Sequence, residues 1–168
     1  ATSRLDSATI APAQVWSDRK PSFYIVDARG NGGAMAANRL LAAGARVSWL
    51  TSALDVRGFT YEPGSLVVTA PKAADPLPVL QKIATELGLR SDGIGGKAPQ
   101  RVQLLTRRRT ALYKPWTANA GEGWTRWLLE QYGFPFRSIA DADLRAGSLK
   151  ASYDVIVLPD ESPALIKA

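Results

Sequence analysis

The stretch from Arg109 to Phe136, RTALYKPWTANAGEGWTRWLLEQYGFPF, constrains the fold most, because it reads as strand, loop, helix and turn in a single run. Ala111, Leu112 and Tyr113 form a short apolar strand, and Pro115 ends it because proline has no amide to give to a ladder. Asn119 followed by Glu122 has the spacing of a capping box, which predicts the helix start. Trp124, Trp127, Leu128 and Tyr132 then recur at helical spacing as one apolar stripe, and the two tryptophans are expected in the core. Gly133 supplies the left-handed stop and Pro135 prevents resumption. A strand running into a capped helix is the half-unit of a parallel α/β sheet. The loop Lys114–Gly121 then lies at the carboxyl edge of its strand, where such sheets place their sites.

The opposite side of that helix carries Glu122, Arg126 and Glu130 at intervals of four, the favoured ordering for intrahelical pairs, and reads as a solvated, salt-linked face. Trp116 falls off any period and is the candidate exposed aromatic. The segments LYKPW, EGWTRWLLEQYGFP, DADLRAGSL and YDVIVLPDES resemble the region downstream of the catalytic domain in large bacterial carboxypeptidase A-type zinc carboxypeptidases. The likeness runs from about Ser22 to Asp160 and is strongest after Arg109. It implies a class I glutamine-amidotransferase-like fold, zinc in the catalytic domain of the parent enzyme, and a secreted or periplasmic protein. It also implies an acid before Glu122, where this chain has Gly121.

The rest of the chain repeats the βα logic. Residues 1–20 lack periodicity and read as an arm or linker docked through Trp16. Ser22–Val26 is a strand ending at Asp27. After the loop Ala28–Gly33 a helix is expected from about Ala34 to Ala43, followed by a strand through Val47 and Trp49. The glycines of RGNGG do not fit a dinucleotide fingerprint, so this loop reads as a tight strand-to-helix turn. Phe59–Pro63 reads as connection, and Leu66–Thr69 as a buried strand. Asp75-Pro76 then opens a helix that Gly88 closes. Ser91–Gln100, with three glycines and a proline, reads as linker. Val102–Leu105 is either a strand or a helical turn. Asp141–Gly147 is a helical turn, and Tyr153–Leu158 the clearest strand of all. The domain reading is a first βα unit over 21–98 and a second over 99–168. The expected fold is a doubly wound, flavodoxin- or Rossmann-like parallel sheet, ending at Ala168 about where another helix should start. Phe23–Val26, Leu112–Tyr113 and Asp154–Leu158 would be its central strands, since near-continuous apolar runs are what burial on two faces requires.

The composition narrows the chemistry. A chain of 168 residues buries roughly 70% of its unfolded surface and needs no covalent staple. There is no histidine and no cysteine, so the usual neutral-pH base, the commonest zinc ligand and any thiol nucleophile are missing, and no catalytic residue is assigned. Asp27, Asp160 and Glu161, with Glu122, could hold Mg²⁺ or Ca²⁺, but their spacing matches no cation motif; caps and turn formers are the simpler reading, and no metal or cofactor is assigned to the chain. The 21 basic residues exceed the 15 acidic ones, but the single dense run, Arg107-Arg108-Arg109, reads as a docking surface or solvated turn, with no nucleic acid as partner. No apolar run approaches the roughly 20 residues of a membrane span. Two functions follow. The first is a non-catalytic accessory domain that docks on a zinc peptidase domain of the same polypeptide or on a second copy. The second is a small-molecule or carbohydrate-binding module using Tyr113, Trp116, Glu122 and Arg126. The candidate binding residues are Lys114, Trp116, Asn119, Glu122, Arg126 and Asp160.

Overall fold

The computed structural model describes residues 13–69 and 75–160, and the chain divides into two compact units, 1–106 and 107–168. In the first unit the chain runs β1 (Val15–Ser17), β2 (Phe23–Val26), α1 (Gly32–Ala42), β3 (Arg46–Leu50), β4 (Leu54–Val56), β5 (Phe59–Tyr61), β6 (Leu66–Thr69), α2 (Leu77–Leu87), β7 (Ser91–Ile94) and β8 (Val102–Leu104). Six strands form one sheet in the order β1-β7-β2-β6-β3-β8, while β4 and β5 make a separate hairpin.

The strand directions overturn the doubly wound parallel fold. β2 pairs antiparallel with both β6 and β7, β3 pairs antiparallel with β6 and β8, and the β1–β7 pair alone in this sheet is parallel. Two crossovers, β2-α1-β3 and β6-α2-β7, are interleaved, so each inserts its strand between the two strands of the other. This is the split βαβ arrangement rather than a wound parallel sheet. The apolar run of β2 did announce burial on both faces. Tyr24 and Val26 pack with Ala36 and Leu40 of α1 and with Leu80 and Ile83 of α2. Phe23 and Ile25 face the other way, against Tyr61, Leu54 and Phe59 of the hairpin. A hairpin hides the second face as well as a helix would, so two-sided burial did not require parallel neighbours.

Several local readings change with it. Phe59–Tyr61 is a strand rather than a connection, and the supposed linker begins with a strand whose Ser91, Asp92 and Gly93 are buried. The arm is held by the backbone ladder of β1 on β7, while the Trp16 side chain is exposed; residues 1–12 lie outside the described residues. The RGNGG loop is the tight turn expected of it. A Cβ on Gly33 would lie 2.3 Å from the Ala28 carbonyl oxygen, so the first turn of α1 fits against the loop that follows β2 only without a side chain.

The second unit comprises β9 (Thr110–Tyr113), α3 (Ala120–Gln131), β10 (Phe136–Ile139), α4 (Asp141–Ala146), α5 (Leu149–Ser152) and β11 (Val155–Val157). Its sheet has the order β10-β9-β11 and is parallel throughout. β9 is its centre. Ala111 and Tyr113 pack with Ile139, Leu144 and Tyr153 on one face. β11 is an edge strand with Val155 and Ile156 exposed, so Asp154–Leu158 is not the central strand expected.

The helix α3 departs most from its sequence pattern. Its capping survives, because the Asn119 side chain accepts the Glu122 amide at 3.1 Å. Its orientation does not follow the apolar stripe. Glu122 is buried and Arg126 and Leu129 half-buried, whereas Trp124, Trp127 and Leu128 are 70, 52 and 49% exposed. The tryptophans expected in the core point outward; of the face expected in solvent, Glu122 and Arg126 lie on the sheet and Glu130 is exposed as expected.

Two glycine substitutions test this packing in opposite directions. Gly33→Ala should cost about 1–3 kcal/mol, the usual range for overpacking against an unyielding neighbour. Gly123, within α3, has nothing within 4 Å of a would-be Cβ, so Gly123→Ala should stabilise by about 0.5–1 kcal/mol. Urea unfolding of both variants against the parent reads both signs in one assay.

Candidate functional site

Each candidate binding residue sits at the carboxyl edge of the parallel sheet or on α3 behind it. Lys114 leaves β9 with its amide bonded to the Ile139 carbonyl at 2.8 Å and its side chain exposed. Pro115 is buried and turns the chain so that Trp116 stands 91% exposed. Asn119 does two jobs: its carbonyl oxygen caps α3, and its amide nitrogen donates to the Asp160 carbonyl at 3.0 Å, tying the helix start to the chain beyond β11. Gly121 stands where the resemblance implies an acid, and a Cβ there would come within 2.9 Å of the capping Asn119 oxygen. An acid at this position would push on the cap, so the glycine is explained locally.

Glu122 and Arg126 are not available at this edge. They are hydrogen-bonded to each other across one helical turn, and Arg126 also donates to Ser138 Oγ at 3.0 Å and lies 5.6 Å over the Phe136 ring. The pair thus fastens α3 to β10, while Trp116 projects from the loop. Tyr113 donates to Asp141 Oδ1 at 2.5 Å and is likewise committed inside the unit. Of the acids considered for a cation, Asp27 is paired with Arg29 at 2.7 Å, Glu122 with Arg126, and Glu161 lies outside the described residues. Among the described residues no three His, Cys, Asp or Glu side chains converge as a metal site would require.

Among the described residues, a dense polar constellation lies in the first unit, and the sequence reading missed it. Asp92, with no exposed surface, points from β7 toward the hairpin and accepts from Tyr61 Oη at 2.5 Å, Arg90 Nε at 2.9 Å and Arg57 at 2.7 Å. Arg57 also pairs with Asp18 at 2.6 Å, and Arg90 lies 4.5 Å over the ring of Phe59. Arg57 occupies the first position of the hairpin turn with φ 49°, followed by Gly58 with φ 74°. Both are left-handed, as a two-residue turn between twisted strands requires. A non-glycine residue there is strained by roughly 1–2 kcal/mol, and its guanidinium is held on the buried carboxylate. Burial alone would push the Asp92 carboxyl up; the hydrogen bonds from Tyr61, Arg90 and Arg57 outweigh it and hold the carboxyl below its usual range. Burial, together with the neighbouring carboxylate, drives the Tyr61 hydroxyl well above its ordinary value. With both carboxylate oxygens occupied and the phenol locked as a donor, the cluster acts as a latch between hairpin and sheet and has no free base to offer. The alternation LDV-RG-FTY was the available signal, since two short strands flank a two-residue turn ending in glycine.

Comparison with known proteins returned no match to any family model, curated sequence or solved structure. No helix among the described residues is long and apolar enough to cross a membrane.

Asp92→Ala should destabilise the first unit by about 3–5 kcal/mol, because it strands the buried ends of Arg57, Arg90 and Tyr61. The acid limb has a defined sign. The Asp92 and Asp154 carboxyls both sit below the usual 3.8 when folded, Asp154 at about 2 through its hydrogen bonds from Arg109. Their stabilisation is complete above the unfolded value and is lost as pH falls through the folded ones. The thermal midpoint should therefore hold down to about pH 4 and drop from there toward pH 2. Differential scanning calorimetry over that range checks it, and Asp92→Ala should flatten part of the slope.

Proposed function

We propose that this chain is a non-catalytic docking domain of a larger zinc carboxypeptidase, and that the outward face of α3 seats it on a protein surface. One observation carries the reading: the helix turns its Glu122–Arg126 pair to the sheet and displays Trp124, Trp127 and Leu128. An amphipathic helix is ordinarily oriented the other way, since covering a tryptophan stripe is worth several kcal/mol. Trp124 and Trp127 meet edge to face with ring centres 6.0 Å apart, a preformed aromatic pair of the kind enriched at binding hot spots. Trp116 adds a third exposed indole from the neighbouring loop.

The partner follows from the resemblance and from the missing side chains. A chain without histidine or cysteine supplies neither the usual zinc ligands nor a thiol nucleophile, so the peptidase chemistry belongs to another domain, which we identify as the zinc peptidase domain of the same polypeptide. The extracytoplasmic location expected of such enzymes is part of the same proposal.

Binding of the chain to that peptidase domain, measured by isothermal titration calorimetry, tests the reading. Trp127→Ala and Trp116→Ala should each leave the thermal midpoint within about 2 °C and weaken association by more than about 1 kcal/mol. Unfolding of either variant without a separate loss of association would make these residues structural and remove the docking surface.

A further inference from the structure

The amino edge of the parallel sheet, at the opposite end of its strands from the Trp116 loop, carries a cleft of about 400 Å³. Four arginines, Arg107, Arg108, Arg109 and Arg137, line it together with Phe136 and Tyr153. We propose that this cleft is a binding site for a small organic polyanion, one bearing phosphate or clustered carboxylate groups.

The four guanidiniums divide into one that is used and three that are not. Arg109 is committed to the unit itself, donating to Asp154 Oδ1 at 2.8 Å and to the Ala151 carbonyl at 2.6 Å, which fixes the start of β9 against the end of α5. The side chains of Arg107, Arg108 and Arg137 make no hydrogen bond or ion pair with any described residue, although Asp154 feels the field of Arg108. Arg137 is placed by β10, whose register sets it beside Ala111 of the central strand, and Arg107 and Arg108 lead directly into that strand. Tyr153, half-buried between α5 and β11, adds a hydroxyl with no partner among the described residues.

Asp154 is the acid that answers Arg109, and among the described residues no other carboxylate pairs with the cleft arginines, so their remaining like charges repel one another and an anion that bridges them relieves the repulsion. Arginine forks match carboxylate and phosphate oxygens two at a time, and phenyl and phenol rings flank the cleft as an apolar wall for the rest of a ligand. The volume falls in the range of small-molecule sites. A nucleic acid would require a basic stripe running across the surface, and the basic groups here gather at one open cleft instead.

Calorimetric titration of the full chain with inorganic pyrophosphate and, separately, with citrate tests the site, with sodium chloride at matched ionic strength as the blank. Saturable one-to-one binding of either probe is expected, with pyrophosphate favoured if the site prefers phosphate and citrate if it prefers carboxylates. Arg137→Ala, and Arg107→Ala combined with Arg108→Ala, should each weaken binding at least tenfold. Lys82→Ala, on α2 of the first unit, should leave it unchanged. A circular dichroism spectrum like the parent's establishes that each variant is folded, and the two cleft variants are independent of each other. Absence of saturable binding of both probes, or a loss in Lys82→Ala equal to that in Arg137→Ala, would overturn the site.

Discussion

Asp92 carries its charge where no water reaches it, and the first unit is arranged around keeping that charge satisfied. Tyr61 and Arg57 come from the hairpin, Arg90 from the approach to β7, and Asp18 from the end of β1 braces Arg57 from outside. A buried carboxylate held this way adds little net stability compared with an apolar core, but it is intolerant of any other placement of its donors. The hairpin must lie where Tyr61 and Arg57 reach β7. In that position it also covers Phe23, Ile25 and Val67, so the geometry of one ion cluster and the burial of one sheet face are the same requirement. The left-handed backbone at Arg57 is a local cost offset by this anchoring.

The second unit solves its packing with a polar contact where an apolar one was expected. The Glu122–Arg126 pair, the Ser138 hydroxyl and the Phe136 ring form a compact seam between α3 and β10, with the guanidinium over the aromatic face. Once that seam sits on the sheet, the helical period dictates that Trp124, Trp127 and Leu128 face outward. The unit therefore carries apolar surface on α3 and along the β11 edge, and at the amino edge of the sheet three arginines with no ion-pair partner among the described residues. Separate ends and faces of one small sheet offer different chemistry, with its single buried strand, β9, as the common scaffold. The exposed tryptophans of α3 and the arginines of the cleft are different side chains in this arrangement.

The segments themselves were legible from residues alone. The apolar runs FYIV, LVVT and ALY are strands, Asn119 caps α3, Asp75 accepts the Leu77 amide at 3.0 Å to open α2, and Gly88 closes it in the left-handed region. Each depends on groups a few residues apart, so the physics is contained in the local sequence. The missing histidine and cysteine likewise removed whole classes of chemistry before any fold was known.

What only the tertiary structure decided is direction and facing. An apolar strand states that both its faces are covered, but not whether a helix or a hairpin covers them, nor which way its neighbours run; those follow from connections that meet far along the chain. A helix with one apolar and one ionic face states its period, and its orientation depends on what the sheet presents, here Phe136 and Ser138 from another strand. Asp92 looked like part of a glycine-rich linker because the partners that make its burial tolerable lie 35 and 31 residues away, at Arg57 and Tyr61. Short-range hydrogen bonding and periodicity are written in neighbouring residues. The pairing of charges across a sheet is decided by the fold that brings them together.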